Sequence, residues 1–162
     1  MKNRQVPALI FSLTLCVVAM VALLIFSGQP SQAQTSTIRY VAFGGTDAGV
    51  CTDPDEACGT VQYAVDVADP GDIIKVGAGT YAGVNSYGSL SQVVYIDKSL
   101  TVRGGYSDSF DEPPDPDAYP TILDAEGLGR VIFATGSGVS VTLEGLHLTG
   151  GDANGLDPYS AG

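Results

Sequence analysis

The feature that most constrains this chain is a repeated unit of short β-forming segments. Ser99-Leu100-Thr101-Val102-Arg103-Gly104 matches Ser140-Val141-Thr142-Leu143-Glu144-Gly145 at a fixed offset of 41 residues. Each copy follows an apolar run, "VVYI" (93–96) or "VIFA" (131–134). Each precedes another short segment, "TILD" (121–124) or "LHLT" (146–149). These runs are rich in Val, Ile, Leu and Thr, and the breaks between them hold Gly, Asp, Ser and Lys, the signature of strands separated by turns. Asn-Gly hairpin turns are missing between them. Short gaps such as Asp97-Lys98-Ser99 therefore read as corners where one strand bends into the next. A period of tens of residues built from short strands predicts a stacked, repetitive architecture.

Upstream of the repeats the pattern changes. "TIRYVAFGG" opens with a short strand, and "GGTDAGVCTDPDEACG" reads as a loop. In "TVQYAVDVADPG", Val61, Ala64, Val65 and Ala68 fall at i, i+3, i+4 and i+7, one face of a helix of about two turns. Thr60 is placed to cap its start, and Pro70-Gly71 to stop it. A helix this short must lie on an apolar surface, so its Val/Ala face is expected inward and Gln62 outward. Then comes "PGDIIKVGAGTY", read as a turn, the strand "DIIKV" and a second turn "GAGTY".

The first residues read as a targeting segment. Lys2 and Arg4 precede an apolar run from Ala8 to Phe26, and Ser31-Gln32-Ala33 has the small-x-small form of a signal peptidase site. Residues 1–33 are expected to be a cleaved secretory signal, with an uncleaved membrane anchor as the alternative, since the run is near the ~20 residues that span a bilayer. Loss of Lys2 and Arg4 would take the net charge from −11 to −13. The five remaining Lys and Arg are scattered, which excludes the clustered basic surface that nucleic acid requires. A secreted or cell-surface location follows, with any membrane contact through the N-terminal segment alone.

Cys16 lies within the apolar run, leaving Cys51 and Cys58. An even pair in an exported chain predicts a disulfide, closing a short loop for a gain of about 2 kcal/mol. A metal site is the competing idea, but His147, the lone histidine, is distant in sequence. The organisation expected is thus 1–33 signal, 34–59 strand and disulfide loop, 60–151 helix and first repeats, and 152–162 a Gly-rich end. No further strand follows that end, so the chain reads as the front part of a longer protein.

Together "TVQYAVDVADPGDIIKVGAGTY", "VYIDKSLTVRGG", "TILDAEG" and "VTLEGLHLTGG" resemble the opening of a protein of the pectin-lyase-like superfamily. The resemblance covers about Ile38 to Gly151. It implies an all-β fold, a right-handed parallel β-helix (a solenoid) with a short N-terminal capping α-helix, incomplete at two to three coils. It is weak for function, because lyases, esterases, epimerases and non-enzymatic surface proteins share such openings. The catalytic aspartate contexts of the pectin methylesterases and the calcium cluster of the pectate lyases are missing, so no catalytic residue is carried over.

The carboxylates remain to be weighed. Asp108, Asp111, Glu112, Asp115 and Asp117 could bind calcium, but they lack the spacing of the D-x-D-x-D-G loop, and five acids among three prolines more often form a solvated loop. Asp124 and Glu126 are a weak candidate for an acid–base pair, since residues two apart at a strand end share a face. The competing reading has Asp124 accepting backbone hydrogen bonds at a turn and Glu126 meeting water. His147 alternates with Leu146 and Leu148, as a solvated strand residue would. The function expected is a non-catalytic N-terminal segment of an exported surface or extracellular protein, with polysaccharide as the ligand class and no cofactor. The alternatives are the front of a lyase- or esterase-like carbohydrate enzyme whose site lies elsewhere, and a small structural adhesin fragment.

Overall fold

The computed structural model describes residues 35–152. The proposed signal with its cleavage site and Cys16, and the Gly-rich stretch 153–162, lie outside the described residues. Ten strands and one helix form the body. They are β1 (Ile38–Val41), a 3-10 turn (Pro54–Glu56), α1 (Val61–Val67), β2 (Ile73–Gly77), β3 (Gly79–Ala82), β4 (Asn85–Tyr87) and β5 (Leu90–Ile96). The chain continues with β6 (Leu100–Tyr106), β7 (Thr121–Asp124), β8 (Arg130–Ala134), β9 (Val141–Glu144) and β10 (Leu146–Thr149).

The strands make three small sheets, ordered β1-β2-β6-β9, β10-β7-β3 and β4-β5-β8. The first two are parallel, and the third is mixed. The 41-residue repeat is realised as direct pairing, with Leu100 opposite Val141 and Arg103 opposite Glu144. The expected all-β, all-parallel solenoid is corrected, however. β4 and β5 pair antiparallel, with Tyr87 opposite Leu90, so the third sheet is mixed; the short helix expected after Thr60 is present as α1. The physical reason is the two-residue turn Gly88-Ser89. Gly88 sits at φ +61°, where only a residue without a Cβ is comfortable, and this lets the chain reverse at once. The architecture is a strand-rich, mixed arrangement of short sheets.

Two further readings change. "GAGTY" is not only a turn: from Gly79 it forms β3 and pairs with β7. Gln62 is not solvent-facing: it is buried beside Val61, Ala64 and Val65. Its side-chain Oε1 accepts the Tyr95 N–H at 2.7 Å, and its Nε2 donates to the Tyr95 carbonyl at 3.3 Å. β4 pairs with β5 only as far as Gln92, so the backbone of Tyr95 has no strand neighbour on that side. The glutamine amide supplies the two bonds that a strand would.

The helix otherwise forms as its pattern requires. The Thr60 hydroxyl accepts the Tyr63 N–H at 3.2 Å. At the other end Lys98 Nζ donates to the carbonyls of Val65, Asp66 and Ala68 at 3.0–3.3 Å, a cation on the negative end of the helix. The apolar face enters the main core with Val41, Ile74, Val76, Val94, Ile96 and Leu123. The turn before β2 is held by a buried ion pair. Asp72 accepts from Arg39 at 2.8 Å and from the backbone N–H groups of Thr37 and Asp69, both at 2.9 Å. Burial acts to raise the Asp72 pKa, but these donors outweigh it and hold the carboxyl below its ordinary value.

Candidate functional site

The Cys51–Cys58 disulfide forms, with Cα atoms 5.4 Å apart. It ties a loop that lies along β1. Tyr40 N–H donates to Cys51 O, Cys58 N–H donates to Tyr40 O, and Ala42 N–H donates to Cys58 O. Asp47 finishes the construction. One carboxylate oxygen accepts from the N–H groups of Gly59 and Thr60, each at 2.8 Å, and the other accepts the Thr60 hydroxyl at 2.7 Å. Gly45 and Gly59 approach so closely that a Cβ on Gly59 would stand 2.5 Å from the Gly45 carbonyl oxygen.

Beside this loop lies an open cleft of about 640 Å³, between residues 43–47, the start of α1 and the stretch from β3 to β4. That volume falls within the roughly 300–1,000 Å³ of small-ligand clefts. Phe43 stands in its wall, 66% exposed. The ring meets Tyr81 edge-on at 6.1 Å and 86°. It also covers Gly79, where a Cβ would fall 2.6 Å from Phe43 Cβ. Tyr81 is buried, with its hydroxyl donating to the Gly77 carbonyl at 3.1 Å, and burial raises its pKa. The polar lining comes from Thr60, Thr80, Asn85 and Gln62, the last already bonded to the Tyr95 backbone, and the only carboxylate in the wall is Asp47. Sequence reading missed this cleft. The one available signal was Phe43, a large apolar residue placed just before a Gly-Gly loop.

The acids singled out from sequence do not converge. Glu112 pairs with Lys75 at 2.9 Å and accepts the Tyr106 hydroxyl at 2.9 Å, and these hydrogen bonds lower its pKa. Asp111 accepts from Ser109 at 2.6 Å, and Asp115 accepts the N–H groups of Asp117 and Ala118, each at 3.1 Å. Asp108 and Asp117 are exposed. Among the described residues no three His, Cys, Asp or Glu side chains are grouped to hold a metal ion. The loop carrying these acids is anchored by Phe110, packed with Tyr106 and Ala57 in a second small core. Asp124 accepts the Glu126 N–H at 2.8 Å, closing the turn after β7, while Glu126 is exposed. His147 is exposed on β10, and Arg103 pairs with Glu144 across β6 and β9.

A second aromatic feature lies on the mixed sheet. Tyr87, Tyr95 and Phe133 stack across β4, β5 and β8, at 4.3 Å with 8° between planes and then at 5.9 Å with 22°. Arg130 lies over the Phe133 ring at 5.5 Å, and the Tyr87 hydroxyl donates to Asp66 at 3.0 Å.

No family model, curated protein or solved structure matches the chain, and nothing among these comparisons identifies the superfamily that the motifs resemble.

Proposed function

We propose that this chain is a non-catalytic segment of an exported extracellular or cell-surface protein and that it binds polysaccharide. One observation carries the reading: the cleft beside Phe43 offers an exposed aromatic ring beside the Thr80 hydroxyl and the Asn85 side-chain oxygen, while its single carboxylate already accepts three hydrogen bonds. Such a wall can hold a polyhydroxylated ligand but supplies no general acid or base. The Asp124–Glu126 turn supports the same side, since the Asp124 carboxylate holds backbone. The disulfide favours an oxidising compartment. The test is to express the full chain for export and measure both retention on a polysaccharide panel and release of unsaturated product or acid from pectin, polygalacturonate and alginate, with and without millimolar calcium. Retention without turnover is expected. Turnover that disappears in an Asp124→Asn, Glu126→Gln double variant would replace this reading with the enzyme alternative.

A further inference from the structure

Single exposed hydrophobic residues are ordinary on protein surfaces and need no function. Phe43 differs in two respects. It lines a cleft, and it packs over Gly79 and against Tyr81 although exposed. The backbone of Gly79 at φ +145° leaves room for it, and the Tyr81 ring meets it at 6.1 Å and 86°. An aromatic ring whose positions are already limited by such neighbours loses less rotamer freedom when a ligand stacks on it, which favours binding. Holding it there also requires glycine at position 79, since any Cβ would clash with the ring.

The cleft wall also selects by charge. Asp47 is its only carboxylate, and no Lys, Arg or His is among its lining residues. The chain as a whole carries a net charge of −11. A polyuronate entering this cleft would meet negative potential and find no cation to pair with. A neutral sugar ring meets no such barrier. Its C–H face matches an exposed aromatic ring, and its hydroxyls match the Thr80 hydroxyl and the side-chain oxygen of Asn85, whose Nδ2 donates to the Val93 carbonyl at 2.9 Å.

We infer that the Phe43 cleft binds a neutral glycan, with one sugar ring stacked on Phe43 and its hydroxyls met by Thr80 and Asn85. This rests on the polysaccharide-binding reading above and assigns that reading a site and a ligand class. The exported full chain would be run by affinity electrophoresis through gels containing mixed-linkage β-glucan, xylan or galactomannan, and in parallel polygalacturonate or alginate. Phe43→Ala, Phe43→Trp and Tyr119→Ala would be compared with the parent. Tyr119 is an exposed aromatic outside the cleft and serves as the control. Thermal melts would show that each variant is folded.

The expected result is retardation by at least one neutral polysaccharide and none by the uronates. Phe43→Ala should weaken it at least tenfold, Phe43→Trp should keep it, and Tyr119→Ala should leave it unchanged. Neutral-glycan binding that survives Phe43→Ala would overturn the site and leave the general function standing. Binding to uronates alone would overturn the ligand class. Binding to no member of either set would overturn both.

Discussion

Phe43 and the Tyr87–Tyr95–Phe133 stack are both aromatic, both partly exposed, and opposite in what they leave open. In the stack each ring lies against the next at 4.3 and 5.9 Å, and Arg130 lies over the last. Tyr95 is thus covered on both sides and Phe133 lies between Tyr95 and Arg130, while Tyr87, 38% exposed, is the outer ring of the stack. Phe43 touches its neighbours through an edge contact with Tyr81 and by covering Gly79, and it remains 66% exposed. Exposure alone therefore does not separate a stabilising aromatic from a binding one; the occupancy of the ring face does. The stack should matter for stability and little for ligand, and Phe43 the reverse.

The largest effect expected bears on the helix that borders both regions. Val65→Asp would bury an unpaired carboxylate in the main core and should cost about 3–5 kcal/mol. Chemical denaturation would read it as a lower midpoint with an unchanged slope. Tyr95→Ala, which removes the central ring of the stack, should cost about 2–3 kcal/mol. A loss below about 0.5 kcal/mol would show that the stack is decorative. Gln62→Ala leaves the Tyr95 N–H and carbonyl without their side-chain partner and should cost about 1–3 kcal/mol. Faster amide exchange at Tyr95 would accompany it, and unchanged exchange would remove Gln62 from the account of β5. Phe43→Ala is expected to be the mildest, within about 0.5 kcal/mol, because the ring is mostly in water. A larger loss would make Phe43 a core residue and erase the contrast.

Much of the strand layout was legible because it depends on local pattern. "TILD", "VTLE" and "LHLT" form strands over the residues that the composition marked, and in the structure the two copies of the 41-residue repeat lie side by side as β6 and β9. The Val61/Ala64/Val65/Ala68 face and the Thr60 cap followed from helical spacing in the same way. What failed needed knowledge of a partner distant in sequence. Gln62 looks polar and therefore outward, and only the open backbone of Tyr95, 33 residues away, explains its burial. The hairpin at Gly88-Ser89 was not legible because β4, Asn85–Tyr87, is three exposed residues without strand composition, and with it went the mixed sheet that ends the uniform solenoid. The site was the least legible part. The acids that drew attention are exposed, or hold turns, or pair with Lys75, while the cleft is assembled from glycines, one phenylalanine and an aspartate held by Gly59 and Thr60. None of those residues carries a motif.

The most direct test watches the two aromatic regions at once. Aromatic ring carbon–proton NMR signals of Phe43, Tyr87, Tyr95 and Phe133 would be followed while soluble oligosaccharides of mixed-linkage β-glucan, xylan and galactomannan are titrated into the exported full chain. Phe43 resonances are expected to move saturably with at least one of them, and those of the three stacked rings to stay in place. Saturable shifts in Tyr87, Tyr95 or Phe133 with Phe43 unmoved would contradict that expectation.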